Sequence, residues 1–166
     1  MGVRETDKNS DEGKFVSFRI DDRDYAVEIQ KIVEIIYYRA ATPFPQSPDF
    51  IEGVVDLRGM VIPILDLKKR LKIASSRSTP PNHILITRIK DTIVGVVVDE
   101  VNQVLKIRES QIQAPPNTVS ESGLKYLRGV AKLNDRLIFL LSVDSLMTVN
   151  EHSRLKGQPA RNGCWN

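Results

Sequence analysis

A chain of 166 residues with 24 Lys+Arg against 21 Asp+Glu, a net charge of +3, suits one ordinary domain or two very small ones. Its apolar runs fall short of the roughly 18 residues that cross a bilayer. The polar stretch Met1–Gly13 does not read as a secretory signal, and the single cysteine, Cys164, excludes a disulfide framework, so a cytoplasmic setting without direct membrane insertion is expected. Residues 1–13 carry −2 and residues 151–166 carry +2, and no dense Lys/Arg block marks a nucleic-acid or membrane patch.

In chain order, residues 14–20 alternate with Val16, Phe18 and Ile20 on one face. After the polar turn Asp21-Asp22-Arg23-Asp24, the residues Tyr25, Val27 and Ile29 resume the period, and Val33–Tyr38 forms a third β-rich run. The loop 40–48 holds Pro43, Pro45 and Pro48, and Ser47-Pro48 suits the start of a short helix ended by Gly53. Gly53–Leu67 then reads as a β-hairpin, two apolar runs around a single Arg58-Gly59, with Pro63 suggesting an edge position. Asp66–Leu71 predicts one helical turn, and residues 72–82, with Ser75-Ser76, Ser78 and Pro80-Pro81, a connection.

The pattern then restarts. An offset of 69 residues superposes Ile20 on Ile89, Tyr25 on Val94, Val27 on Val96, Ile29 on Val98, Ile32 on Val101 and Ile35 on Val104. An offset of 76 superposes Gly53-Val54 on Gly129-Val130, Leu57 on Leu133, Ile62 on Ile138 and Ile64-Leu65 on Leu140-Leu141. The difference falls in proline-containing loops, where insertions are tolerated. This is a tandem duplication of a small all-β unit. Each copy predicts about five short strands that curl into a barrel and hide their edges. The expected partition is a flexible N terminus (1–13), a first barrel (14–71), a linker (72–82), a second barrel (83–149) and a flexible basic tail (150–166). A ~60-residue unit is marginal alone, so the barrels should pack together and leave a groove between them for a partner.

Residues for catalysis are lacking. His83 opens a strand, while His152 and Cys164 lie in the tail, and none has a companion at ligand spacing, so no metal site or cofactor is expected. Asp99-Glu100 point to opposite faces of a strand and read as a solvated strand end rather than an acid–base pair. No phosphate loop or nucleophile elbow is present, so the chain is not expected to be an enzyme. Arg58 is either solvated, tied to local carbonyls or offered to a partner's carboxylate. Gly59 beside it supplies a positive φ. Glu34 reads as a solvated outer face or a partner contact, and Ile32 and Ile35 as core or interface. The duplication weighs on Arg58, because Arg58-Gly59 aligns with Asn134-Asp135. The repeated hairpin therefore does not require the arginine.

These residues resemble the CheW family of chemotaxis coupling proteins. The matching pieces are Phe15-Val16-Ser17-Phe18, Tyr25–Ile29, Ile32-Val33-Glu34-Ile35, Thr42-Pro43, Pro48–Val54, Leu57–Leu67, Val94–Val101 and Tyr126–Gly129, which together cover about residues 14–149. The resemblance implies two five-stranded SH3-like barrels in a non-catalytic adaptor. Such an adaptor bridges the cytoplasmic tip of a methyl-accepting chemoreceptor to the regulatory domain of a CheA-type histidine kinase. Carried over by position, Ile32, Glu34, Ile35 and Arg58 belong to the receptor-facing surface, with Val94 and Val101 as its opposite wall. Thr42, Phe44, Ile51 and Gly53 belong to the kinase contact. The loop Gln111–Thr118 is placed at array contacts, where many relatives are expected to carry arginine and aromatic residues and this chain has Gln113 and Thr118. Two other readings stand beside it: an adaptor of a non-flagellar chemosensory pathway, and a small nucleic-acid-binding barrel. The second is motivated by a pI near 9.0 and Tyr37-Tyr38-Arg39, and would need aromatics interleaved with basic residues.

Overall fold

The computed structural model describes residues 12–43, 45, 47–73, 80–115 and 126–147. They form β1 (Glu12–Ile20), β2 (Arg23–Glu28), β3 (Ile32–Tyr37), β4 (Ile51–Leu57), β5 (Met60–Asp66), α1 (Leu67–Leu71), β6 (His83–Ile89), β7 (Thr92–Val98), β8 (Glu100–Arg108), β9 (Ile112–Gln113), β10 (Leu127–Leu133) and β11 (Arg136–Leu141). Short 3₁₀ turns occupy Ile29–Lys31, Glu109–Gln111 and Val143–Leu146. The all-β prediction and the pair of small curled sheets hold. One sheet has the order β3-β6-β7-β5-β4, and the other β8-β1-β2-β11-β10-β9, its sixth strand only two residues long.

The sheets do not follow the halves of the sequence. The hairpin β1–β2 of the first half pairs with β8–β11 of the second, and β6–β7 of the second pairs with β3–β5 of the first. The continuous barrel therefore spans Ile32–Val98, and the other is assembled from Glu12–Glu28 and Glu100–Leu141. The expected division into 14–71 and 83–149 is corrected accordingly. Its physical reason is that β2 and β7 carry the same apolar pattern, and that pattern fixes the buried face, not the neighbouring strand. The exchange obeys the duplication. β5 runs parallel to β7 with Ile64 opposite Gly95, and β11 parallel to β2 with Leu140 opposite Ala26, at equivalent positions. Both β4–β5 and β10–β11 bulge at their equivalent glycines, Gly53 and Gly129.

Strand alternation divides the apolar residues among three cores. Phe15, Ala26, Ile107, Ala131, Ile138 and Leu140 fill the discontinuous barrel. Val55, Ile62, Ile64, Ile84, Ile86 and Val97 fill the continuous one. The largest cluster, including Phe18, Tyr25, Leu65, Leu85, Val94, Val96, Val98 and Leu141, lies between them. The two barrels therefore pack together through a shared apolar core, as expected of units too small to stand alone.

Local expectations divide as well. Asp66 caps α1 by accepting from the N–H groups of Lys68 and Lys69, as the predicted helical turn requires. The short helix after Ser47 does not form. Ile51 N–H donates to the carbonyl of Pro48, and the chain enters β4 with Phe50 and Ile51 committed to the inter-barrel core. Pro63 is not on an edge strand, since β5 has a neighbour on both sides. Its missing donor goes unneeded: the parallel ladder to β7 starts one residue later, and Val54 opposite turns its own N–H and C=O to Thr42. Asp99 is not solvated. It is buried, accepts from Asp21 N–H at 2.7 Å and lies 3.4 Å from Lys68 Nζ.

Candidate functional site

The β4–β5 turn puts Arg58 and Gly59 in the left-handed region, φ 53° and 84°. Two consecutive positive φ values match the strand twist of a two-residue hairpin, and Asp56 Oδ1 accepts from Gly59 N–H at 2.8 Å. The equivalent turn of the other barrel, Asn134-Asp135, has the same conformation at φ 49° and 67°. Asparagine tolerates this region, whereas an ordinary side chain there costs about 1–2 kcal/mol. A long cation is thus held at a position where the fold is satisfied by a cheaper residue.

From that turn the guanidinium reaches Glu34 on β3 in a bidentate pair, Nη1 to Oε1 at 2.7 Å and Nη2 to Oε2 at 2.5 Å. Side-chain exposure is 72% for Arg58 and 27% for Glu34. Hydrogen bonding to Arg58 holds the Glu34 carboxyl below the usual glutamate range, with partial burial opposing. In a carbon-detected NMR titration, Glu34 is expected to titrate below the ordinary glutamate value and to move up toward it in Arg58→Asn.

The pair rims a cavity of about 590 Å³ at the mouth of the continuous barrel, with Val33, Leu57, Met60 and Arg88 among its walls. The duplication gives the other barrel an equivalent mouth of about 360 Å³, where Gln103 stands for Glu34, Asn134 for Arg58, Arg136 for Met60 and Asn102 for Val33. One mouth carries an apolar rim and an exposed charge pair; its twin is lined by amides and an internally paired Arg136–Asp24.

The receptor-facing set from the sequence is only partly brought together. Glu34 and Arg58 meet, Ile35 lies outward on the same strand, and Ile32 is half-buried against the inter-barrel core. Val101, equivalent to Ile32, packs on that core from the other side. Val94 has 0% exposure and offers no surface. β7 is buried on both faces, and such a strand reads as one apolar run in which inner and outer positions look alike.

Of the kinase-facing set, Thr42 is exposed and bridges to Val54. Ile51 is buried in the inter-barrel core. Gly53 is buried against the Thr42 carbonyl. These two serve the fold. Gln113 is exposed on β9. Phe44 and Thr118, like His152 and Cys164, lie outside the described residues. Met60 and Tyr37 were missed as surface apolar residues. The period of β3, counted on from Ile35, was the available signal for Tyr37. Its outward neighbours on β3 are Val33 and Ile35, and Arg39 is exposed two residues further on, so the strand itself lacks the interleaving of aromatic with basic residues that a single-strand nucleic-acid binder uses.

Two curled sheets of five and six strands packed on a shared core, with an exposed charge pair at the mouth of one, define a duplicated β-barrel domain. Residues 14–151 match the family model described as "CheW-like domain". The chain is 33% identical to the chemotaxis protein CheW of Rhizobium meliloti, across 83% of this chain and 89% of that one. It is 36% identical to that of Thermotoga maritima, across 82% and 88%. The crystal structure of the scaffolding protein TtCheW from Thermoanaerobacter tengcongensis superposes with a TM-score of 0.74 at 34% identity, covering 84% of this chain and 90% of that one. The chain belongs to the CheW-like domain family.

Proposed function

We propose that this chemotaxis adaptor, which couples chemoreceptors to a histidine kinase, docks the cytoplasmic tip of a methyl-accepting receptor on the Arg58–Glu34 pair and the adjoining mouth of the continuous barrel. The observation that carries the reading is the exposed guanidinium held in a left-handed turn whose duplicate needs no arginine. An exposed bidentate pair is cheap to open, so a partner's carboxylate can share Arg58 while its apolar residues cover Met60 and Val33. The chain contributes no chemistry of its own. It biases the CheA-type kinase through contacts that differ between receptor signalling states, and the coupling is no larger than that difference. The kinase regulatory domain is assigned to the surface at Thr42 and to Phe44.

The test is charge reversal. Arg58→Glu places two carboxylates together and is expected to weaken binding of a purified receptor-tip fragment at least tenfold. Circular dichroism and binding of the kinase regulatory domain should stay unchanged. Undiminished receptor binding would remove Arg58 from the site.

A further inference from the structure

The strand that carries Glu34 presents a second feature. β3 is the terminal strand of its sheet, and its burial alternates so that Val33, Ile35 and Tyr37 all face outward, exposed by 53, 40 and 78%. Tyr37 is the most exposed large apolar side chain among the described residues. Its ring is not loose: it stacks on His83, its register partner on β6, at 5.3 Å between centroids. An exposed apolar stripe on a terminal strand is a liability that folds usually relieve with charge or cover. The duplicate strand β8 is relieved at both ends of its stripe, with Asn102 and Lys106 standing where β3 has Val33 and Tyr37, and keeps one exposed apolar residue, Val104, at the place of Ile35. The contrast between the two copies is the same one that singles out Arg58, and Val33 joins the stripe to the Arg58–Glu34 mouth.

We infer that Tyr37, braced by His83, is a third anchor of the receptor-docking surface, and that the partner lays one amphipathic helix along β3. This rests on the receptor-docking reading of the mouth. The spacing suits a helix: Val33 to Tyr37 spans about 13 Å of strand, and helix positions i, i+4 and i+8 span about 12 Å. The segment that fits carries an aliphatic residue at each of the first two positions. At the third it carries a Leu, Met or Arg that covers the tyrosine ring, within a stretch of about nine residues.

The test compares Tyr37→Ala, Tyr37→Lys, Tyr37→Phe and Arg58→Glu for binding to a purified helical-hairpin fragment of the receptor tip and, separately, to the kinase regulatory domain. Tyr37→Ala is expected to weaken receptor-tip binding about tenfold, Tyr37→Lys at least as much and Tyr37→Phe little, as for an aromatic anchor. Kinase binding and circular dichroism should not change. If Arg58→Glu weakens receptor binding while Tyr37→Ala and Tyr37→Lys do not, the third anchor is wrong and the mouth stands. If none of the variants weakens it, the docking reading fails and the anchor with it. Loss of kinase binding on Tyr37→Ala would overturn the inference by assigning the stripe to the other partner.

Discussion

Gly53→Ala is expected to lower the melting temperature by about 10 °C. A Cβ on Gly53 would lie 2.2 Å from the Thr42 carbonyl oxygen and 2.8 Å from Pro43 N, both backbone atoms that no rotamer change can move. The φ of +151° adds strain for any L side chain. Overpacking costs typically 1–3 kcal/mol and a disallowed backbone conformation a similar amount, so about 3 kcal/mol is a reasonable total. At this chain length each kcal/mol moves the midpoint by about 2–4 °C. The contact in question is the Thr42–Val54 bridge, which ties the segment after β3 to β4 where β9 pairs with β10 in the other barrel. Differential scanning calorimetry checks the size of the effect. A wild-type midpoint would mean the bridge is not needed to close the barrel. Because the bridge also fixes the backbone at Thr42, kinase binding should fall in the same variant while the Arg58–Glu34 pair is untouched.

What the sequence made legible follows from which physical signals are local. Strand positions, the Arg58-Gly59 turn, the helical turn at Asp66–Leu71 and the duplication were all readable, because each depends on spacing or on one residue's backbone preference. The exchange of hairpins was not readable. Ala26 opposite Leu140 and Gly95 opposite Ile64 each set a small residue against a branched one, a pattern that does not say which half supplies the partner strand. The burial of Val94 escaped for a related reason, since a strand covered on both faces carries no alternation to separate wall from core. Asp99 read as solvated because its partner, Lys68, lies 31 positions away on a different element. At the site, the family resemblance puts Arg58 and Glu34 on one surface, but their ion pair crosses 24 positions and only the fold reveals it.

Lys68→Met is expected to destabilise the protein by about 2–3 kcal/mol, and the reason lies in how the barrels are fastened. Lys68 on α1 reaches from the continuous barrel to Asp21 in the β1–β2 turn at 3.2 Å and to Asp99, the crossover residue, at 3.4 Å. Both carboxylates are largely buried, so removing the cation leaves uncompensated charge in a poorly solvated place. The duplicate positions hold a fastening of opposite sign. Asp144, equivalent to Lys68, accepts from the N–H of Lys90, equivalent to Asp21, at 3.2 Å and from Lys31 Nζ in the other crossover at 3.1 Å. The central group of each fastening is shifted toward its charged form. For Lys68, burial opposes the charge, but the bond to Asp21 and the charges of Asp99 and Asp21 prevail and raise its pKa. Its contribution is complete below the ordinary lysine value and is lost as pH rises through the folded one. For Asp144, burial is likewise outweighed, here by Lys31 and Lys90, and the pKa is lowered. Its contribution is complete above the ordinary aspartate value and is lost as pH falls through the folded one. Unfolding midpoints of wild type and Lys68→Met should therefore differ across the neutral range and converge in strong alkali. Copying the second fastening's signs into the first, with Lys68→Asp and Asp21→Lys together, should recover part of what Lys68→Asp alone loses. A double variant no better than the single would mean the contact depends on lysine's shape rather than on its charge.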